Sequence, residues 1–277
     1  QSALERALAT IRRDYQDSVT RGRLRADDVE HRLARLTDSQ SLQDLGQVDL
    51  VIEAVFEDIE VKKQVFAQLD GIARPGAILA TNTSRLNVDE IASCTLRPES
   101  VIGLHYFSPA NVMRLLEVVR GARTARTVIA SAMQLARRTG KIAALVGVCP
   151  GFVGNRMLGP RQREAQQLVL EGAMPWDVDR VLVDFGFPMG PFAMSDLAGL
   201  DLGWKPETST GSTLRELLCE RGRRGQKTGA GFYDYDAQRN ARPSDLVEQL
   251  VLELSQRKGL QRRPIEDETI LQRCIYP

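Results

Sequence analysis

The sequence predicts an α/β chain in which a doubly wound parallel sheet is followed by an all-α domain. Two observations carry that prediction. Apolar runs of strand length at 48–55, 77–81, 101–105, 115–119 and 142–148 are interleaved with helix-period segments at 58–69, 88–92 and 127–138. Strands alternating with helices imply a parallel sheet covered on both faces. After Cys149-Pro150-Gly151 the strand-length runs end and helical periods take over, which places a domain boundary near residue 149, between units 1–148 and 149–277.

Taken in order, residues 1–36 are charged and helical in period, with Leu4, Leu8, Ile11 and Tyr15 on one stripe and Val29, Leu33 and Leu36 on another. The run VDLVIEAV at 48–55 reads as a buried strand, and 58–69 as the helix after it, closed by Gly71 and Pro75. The next strand is 77–81. A short helix at 88–92 leads into the strand that ends at His105. A helix at 127–138, stopped by Gly140, leads to the strand 142–148. Beyond the boundary come helices at 153–171, 176–185, 195–200 and 246–254, a basic loop at 221–227 and the glycine-rich turn GAGFYDY at 229–235. One internal echo aligns NRMLGP at 155–160 with QRCIYP at 272–277, both read as opening helices, so a second copy of a helical unit is expected to begin near 267 and to be cut off.

Composition narrows the classes of function. With 277 residues the chain can bury a large core. Lys plus Arg is 37 against 36 Asp plus Glu, a net charge of +1, which gives no support to nucleic acid or an anionic membrane as partner. No apolar run approaches a membrane span, and Gln1-Ser-Ala-Leu-Glu5 does not read as a signal peptide. Cys94, Cys149, Cys219 and Cys274 are isolated, without metal-ligand or disulfide spacing. They read as reduced thiols of a cytoplasmic protein, and no metal is expected.

The chemistry concentrates at 77–119. In a doubly wound sheet, ligands bind beyond the carboxyl ends of the strands, and Asn82, Ser84 and His105 lie there. Glu117 interrupts the run LLEVV. A buried unpaired carboxylate is costly, so Glu117 should have a partner, and an imidazole is the obvious one. A proton-transfer base needs a fixed tautomer and a suitable pKa, and a neighbouring buried carboxylate supplies both. The plain alternatives are a structural histidine for His105, helix capping for Asn82, Ser84 and Asn155, a solvated helix position for Lys62, and a surface site for His31. The stretch GRRGQKT at 222–228 lacks the residue order of a phosphate-binding loop, and no Gly-x-Gly-x-x-Gly occurs anywhere.

The segments 51–63, 81–86, 103–109, 115–119, 150–156, 185–201 and 225–235 together resemble the L-3-hydroxyacyl-CoA dehydrogenases, most distinctively in GLHYFSPA followed by LLEVV and in FGFPMGPFAMSDLAGLD. The C-terminal echo is more like the multifunctional fatty-acid β-oxidation enzymes. The resemblance implies a Rossmann-type sheet, NAD as cofactor, and oxidation of L-3-hydroxyacyl-CoA to 3-oxoacyl-CoA. Residue by residue it implies that His105 is the catalytic base oriented by Glu117, that Ser84 and Asn155 contact substrate, and that Glu57, Lys62, Ser84 and Ser108 approach the cofactor. Ser108 departs from the Asn found in many relatives. An acyl-CoA substrate is implied, without nucleic acid or membrane insertion, and with a homodimer or a β-oxidation multienzyme complex as the assembly.

Against the family pattern, the first strand, the glycine fingerprint and the strand with the ribose-binding acid would precede the segment resembling 1–38, so the sheet is expected to be incomplete and the chain truncated at both ends. The Arg221 to Lys227 cluster reads as a solvated loop in preference to a site for CoA phosphates. Two other readings stay open: a non-catalytic fragment or dimerisation module, and a related hydroxyacid dehydrogenase with a non-CoA substrate. The expectation for the chain by itself is weak NAD binding or none, because pyrophosphate would lack its backbone donors; micromolar affinity in a calorimetric titration would contradict it.

Overall fold

The structure is a computed structural model that describes residues 3–276. The chain divides into two units, Gln1–Phe152 and Val153–Pro277. The first begins with helices α1 (Ala3–Thr20) and α2 (Ala26–Leu33), then runs β1 (Leu50–Glu53), α3 (Ile59–Ile72), β2 (Ile78–Thr81), α4 (Val88–Ala92), β3 (Val101–Tyr106), β4 (Leu115–Arg120), α5 (Arg126–Arg138) and β5 (Ile142–Gly147). The strands form one five-stranded sheet in the order β1-β2-β3-β4-β5. The sheet is parallel-dominated and Rossmann-like with helices on both faces.

One pairing departs from the parallel expectation. β1, β2 and β3 are mutually parallel and β5 is parallel to β4, but β4 runs antiparallel to β3. The reason is chain length. A parallel partner requires a crossover of a dozen residues or more, and residues 107–114 allow only a reversal. The longer connections, through α3, α4 and α5, give the parallel pairs.

Strand alternation sorts the side chains into two layers. Val51, Leu79, Val101, Val119 and Val146 face α3 and α4, where they pack with Phe66, Leu69, Val88, Ile91 and Phe152. Ala80, Ile102, Leu104, Leu116 and Val118 face α5 and its Val128, Ala132 and Ala136. Full burial of Phe66 contributes about 2–3 kcal/mol. Gly103 is needed where α4 crosses β3: a Cβ there would lie 2.8 Å from the Val119 Cβ and 3.0 Å from the Val88 Cγ2. Helix α3 is started by Asp58, whose carboxylate accepts from the backbone N–H of Glu60 and Val61.

The second unit contains α6 (Gly154–Glu171), α7 (Pro175–Phe185), α8 (Pro191–Ala198), α9 (Leu214–Glu220), α10 (Asp245–Arg257) and α11 (Asp267–Ile275). The all-α expectation needs one amendment, a two-stranded antiparallel ribbon of β6 (Asp234–Tyr235) and β7 (Ala241–Arg242). Asn155 sits in the first turn of α6, whereas Gln272 and Arg273 lie in the last turns of α11. The echo therefore does not open both helices as expected; its final position, Pro277, lies outside the described residues. No helix among the described residues is long and apolar enough to cross a membrane.

Two buried acids organise this unit. Asp179 accepts from the N–H of Phe192 and Ala193 and from the Tyr233 hydroxyl; Asp196 accepts from the N–H of Phe232 and Tyr233 and the Tyr235 hydroxyl. Burial pushes both carboxyls above their ordinary values, against the pull of these bonds. The glycine-rich turn exists because Asp196 packs against it, and a Cβ on Gly231 would collide with that carboxylate. Gly231→Ala should therefore destabilise this unit by about 2 kcal/mol. Trp176 and Trp204, the chain's two tryptophans, both lie here, so a lower urea midpoint by tryptophan fluorescence checks it.

Candidate active site

The sheet face toward α3 and α4 is apolar at its centre and polar at one end. Glu53 pairs in register with Thr81, and Thr81 with Gly103, two positions before His105, which pairs with Glu117. Period-two alternation puts Glu53, Thr81, His105 and Glu117 on the same side, and all four are buried. A row of polar groups has thus replaced the apolar row where β1, β2 and β3 end.

His105 Nδ1 lies 2.7 Å from Glu117 Oε2. Register explains the closeness, since residues directly opposite in an antiparallel pair have Cβ atoms about 4.5–5.5 Å apart. A carboxylate accepts at this distance, so the ring proton is assigned to Nδ1 and the acceptor lone pair to Nε2. His105 is 5% exposed, and its ring lies near those of Phe107 and Phe152, with centroids at 4.3 and 5.8 Å. Phe152 is fully buried and holds a left-handed backbone (φ 48°), beside Gly151 at φ 74°. That conformation costs a non-glycine residue about 1–2 kcal/mol.

Glu57 follows β1 and faces the loop after β2. Its carboxylate accepts from Thr83 Oγ1 (2.7 Å), Ser84 N (2.8 Å) and Ser84 Oγ (2.9 Å), with Lys62 Nζ at 3.9 Å. Burial pushes its pKa up, but these hydrogen bonds and the Lys62 charge outweigh burial and hold the group below its ordinary 4.5. The capping alternative for Asn82 and Ser84 does not hold, because Asn87 caps α4. Asn82 Oδ1 instead accepts from the Tyr106 N–H.

Lys62 is not a solvated helix lysine. It shares the inward stripe of α3 with Phe66 and Leu69, is 0% exposed, and donates to both oxygens of Glu53 and to the Asn82 carbonyl. Of the remaining candidates, Ser108 is exposed on the 107–114 connection, which Lys141 holds by donating to the carbonyls of Ala110 and Met113. Asn155 belongs to the second unit. His31 is exposed on α2. The basic loop is partly consumed internally: Arg223 donates to the carbonyls of Gly231 and Tyr233 and pairs with Asp234, and Lys227 pairs with Asp201.

Glu53, Thr83 and Phe152 join the site although the sequence reading does not single them out. The signal for Glu53 is present there, an acid inside the apolar run 48–55, the same pattern that marks Glu117. For Glu57, a pKa below the unfolded value means stability fully present above pH 4.5 and lost as pH falls through the folded value. Wild type should therefore exceed Glu57→Gln in stability at neutral pH, and the gap should close on acidification, as read by urea unfolding followed by circular dichroism.

Comparison with known proteins identifies the family of the chain. Residues 1–149 match the model of the 3-hydroxyacyl-CoA dehydrogenase NAD binding domain, and residues 151–235 that of the 3-hydroxyacyl-CoA dehydrogenase C-terminal domain. A peroxisomal bifunctional enzyme of Danio rerio is 48% identical over 260 residues, covering 86% of this chain and 36% of the relative. The fatty acid oxidation complex subunit alpha of Pseudomonas aeruginosa (strain PAO1) is 34% identical over 270 residues, 94% of this chain and 38% of the relative. The chain thus spans little more than a third of these relatives. Among solved structures, the dehydrogenase part of multifunctional enzyme 1 from C. elegans superposes with a TM-score of 0.71 at 31% identity, covering 99% of this chain and 64% of that one. The chain belongs to the 3-hydroxyacyl-CoA dehydrogenase family.

Proposed function

We propose that this chain forms the dehydrogenase portion of an enzyme that oxidises L-3-hydroxyacyl-CoA to 3-oxoacyl-CoA with NAD in fatty-acid β-oxidation. The observation that carries the reading is the 2.7 Å contact of His105 Nδ1 with Glu117, which leaves Nε2 as acceptor at the polar end of the sheet. In this reading Nε2 takes the proton of the substrate's 3-hydroxyl. Glu117 fixes the tautomer and stabilises the imidazolium that forms. The nearby rings of Phe107 and Phe152 and the burial of His105 keep the imidazole away from bulk water.

Acceptance of the hydride released from C3 is the chemistry that NAD supplies when bound. The residues present suit its nicotinamide end: Glu57 and Ser84 form an ionised, partly exposed ledge beyond β1 and β2. Lys62, being enclosed, acts on that ledge through Glu57 in this reading, and Ser108 and Asn155 keep the cofactor and substrate contacts assigned by resemblance. Membership of a larger multifunctional protein, a homodimer or multienzyme assembly, and a cytoplasmic setting are parts of the same proposal. The Danio rerio relative is named as peroxisomal, and that compartment is an alternative within the same proposal.

In the full-length protein that carries this chain, His105→Gln should lower turnover of 3-hydroxyacyl-CoA by roughly 100- to 10,000-fold while leaving NAD affinity nearly intact. Retained turnover overturns the role. Free hydroxyacids in the same NADH assay test the dependence on CoA.

A further inference from the structure

The proposed chemistry gives no role to Glu53, a buried acid of the first unit, and reaches its partner Lys62 only through Glu57. Glu53 is 4% exposed and Lys62 0%, and neither reaches a surface where a ligand would touch it. Their hydrogen bonds run toward the histidine. The Glu53 carboxylate accepts from Lys62 Nζ (2.8 and 3.0 Å), Val55 N (2.6 Å) and Thr81 Oγ1 (2.7 Å). The same ammonium donates to the Asn82 carbonyl (3.1 Å). Asn82 donates its own N–H to the Glu53 carbonyl (2.8 Å) and accepts from the Tyr106 N–H through Oδ1 (3.1 Å). Tyr106 is the residue after His105.

A continuous polar path therefore joins the ends of β1, β2 and β3 with α3, and it branches to Glu57, 3.9 Å from the ammonium. A surface ion pair would have little effect on geometry. A buried pair whose hydrogen-bond partners outside the pair are backbone groups and a buried hydroxyl has few alternative arrangements, and so over-determines the positions of the segments it connects. A reaction that sends a proton to the base and a hydride to the cofactor needs base and cofactor ledge held in fixed relation about the substrate, and both lie on the segments this path connects.

We infer that Glu53 and Asn82, linked through the Lys62 ammonium, are positioning residues that hold the His105 end of β3 in fixed relation to the Glu57–Ser84 ledge. The inference rests on the assignment of His105 as base. Its parts are separable, because the chain has two histidines and nitrogen-15 spectra of the imidazoles, assigned with His31→Gln, report the Nδ1 proton of His105 without an activity assay.

The experiment compares wild type, Asn82→Ala and Asn82→Asp by these spectra, by amide exchange at Tyr106 and by thermal melting. Asn82→Ala should melt near wild type, exchange the Tyr106 amide roughly tenfold faster and broaden or lose the His105 Nδ1 proton signal. Asn82→Asp, which keeps an acceptor, should restore protection at Tyr106. Should Asn82→Ala fail to fold, the double variant Glu53→Gln/Lys62→Met serves instead: it removes the buried charges together, a change that such sites tolerate, and it should disturb the same signal through the lost donor to Asn82. An unmoved His105 signal and unmoved Tyr106 exchange overturn the positioning role while leaving the base assignment intact. Absence of the Nδ1 signal in wild type overturns both.

Discussion

The antiparallel register of β3 and β4 is the constraint on which the rest depends. A sheet built only of parallel strands would carry His105 and Glu117 in the same direction from separate crossovers, with no reason for their side chains to meet. The reversal at 107–114 folds the chain back on itself, and register sets His105 opposite Glu117. The dyad is thus a by-product of a short loop and a fixed alternation. The loop itself is held by Lys141, reaching it from the start of β5.

Around that pair the first unit manages buried charge by saturation. Removing one partner from a buried ion pair costs about 3–5 kcal/mol, far more than the pair contributes intact, so Glu53, Lys62 and Thr81 form a set in which each member commits the others. No buried side-chain nitrogen or oxygen among the described residues is left without a hydrogen-bond partner. The second unit follows the same rule with different chemistry. Asp179 and Asp196 lack an adjacent ammonium and are instead satisfied by backbone N–H groups and tyrosine hydroxyls. Partial neutralisation by dipoles leaves burial dominant there, and both carboxyls sit high. Glu57, partly exposed and met by three donors and a cation, sits low. Opposite shifts on acids of one protein follow from how completely each is desolvated and what meets it.

The two layers of the sheet divide labour along the strands. Val101 and Val119 lie in the apolar half of the face that carries His105 and Glu117, and Gly103 between them admits Val88 of α4. The helix that covers the core and the histidine that performs the proposed chemistry are therefore registered to each other through one strand. A shift of β3 by a single residue would move His105 to the α5 side, where Leu116, Val118 and Ala132 lie.

Periodicity is local: the β1, β2, β3, β4 and β5 strands and the α3, α4 and α5 helices were legible in the amino-acid order to within a few residues because apolar runs and their Gly, Pro and Asp boundaries are local signals. That order also marked His105 and Glu117, since an acid inside LLEVV has to find a partner. What it did not hold was direction and depth. That β4 reverses, that Lys62 is enclosed instead of solvated, that Asn82 serves Tyr106 and not a helix cap, and that QRCI closes a helix instead of opening one were decided by tertiary packing. The physical reason is common to all four. Strand direction, burial and hydrogen-bond choice depend on which distant segment arrives at a site, and composition within a window of ten residues is the same whichever one does.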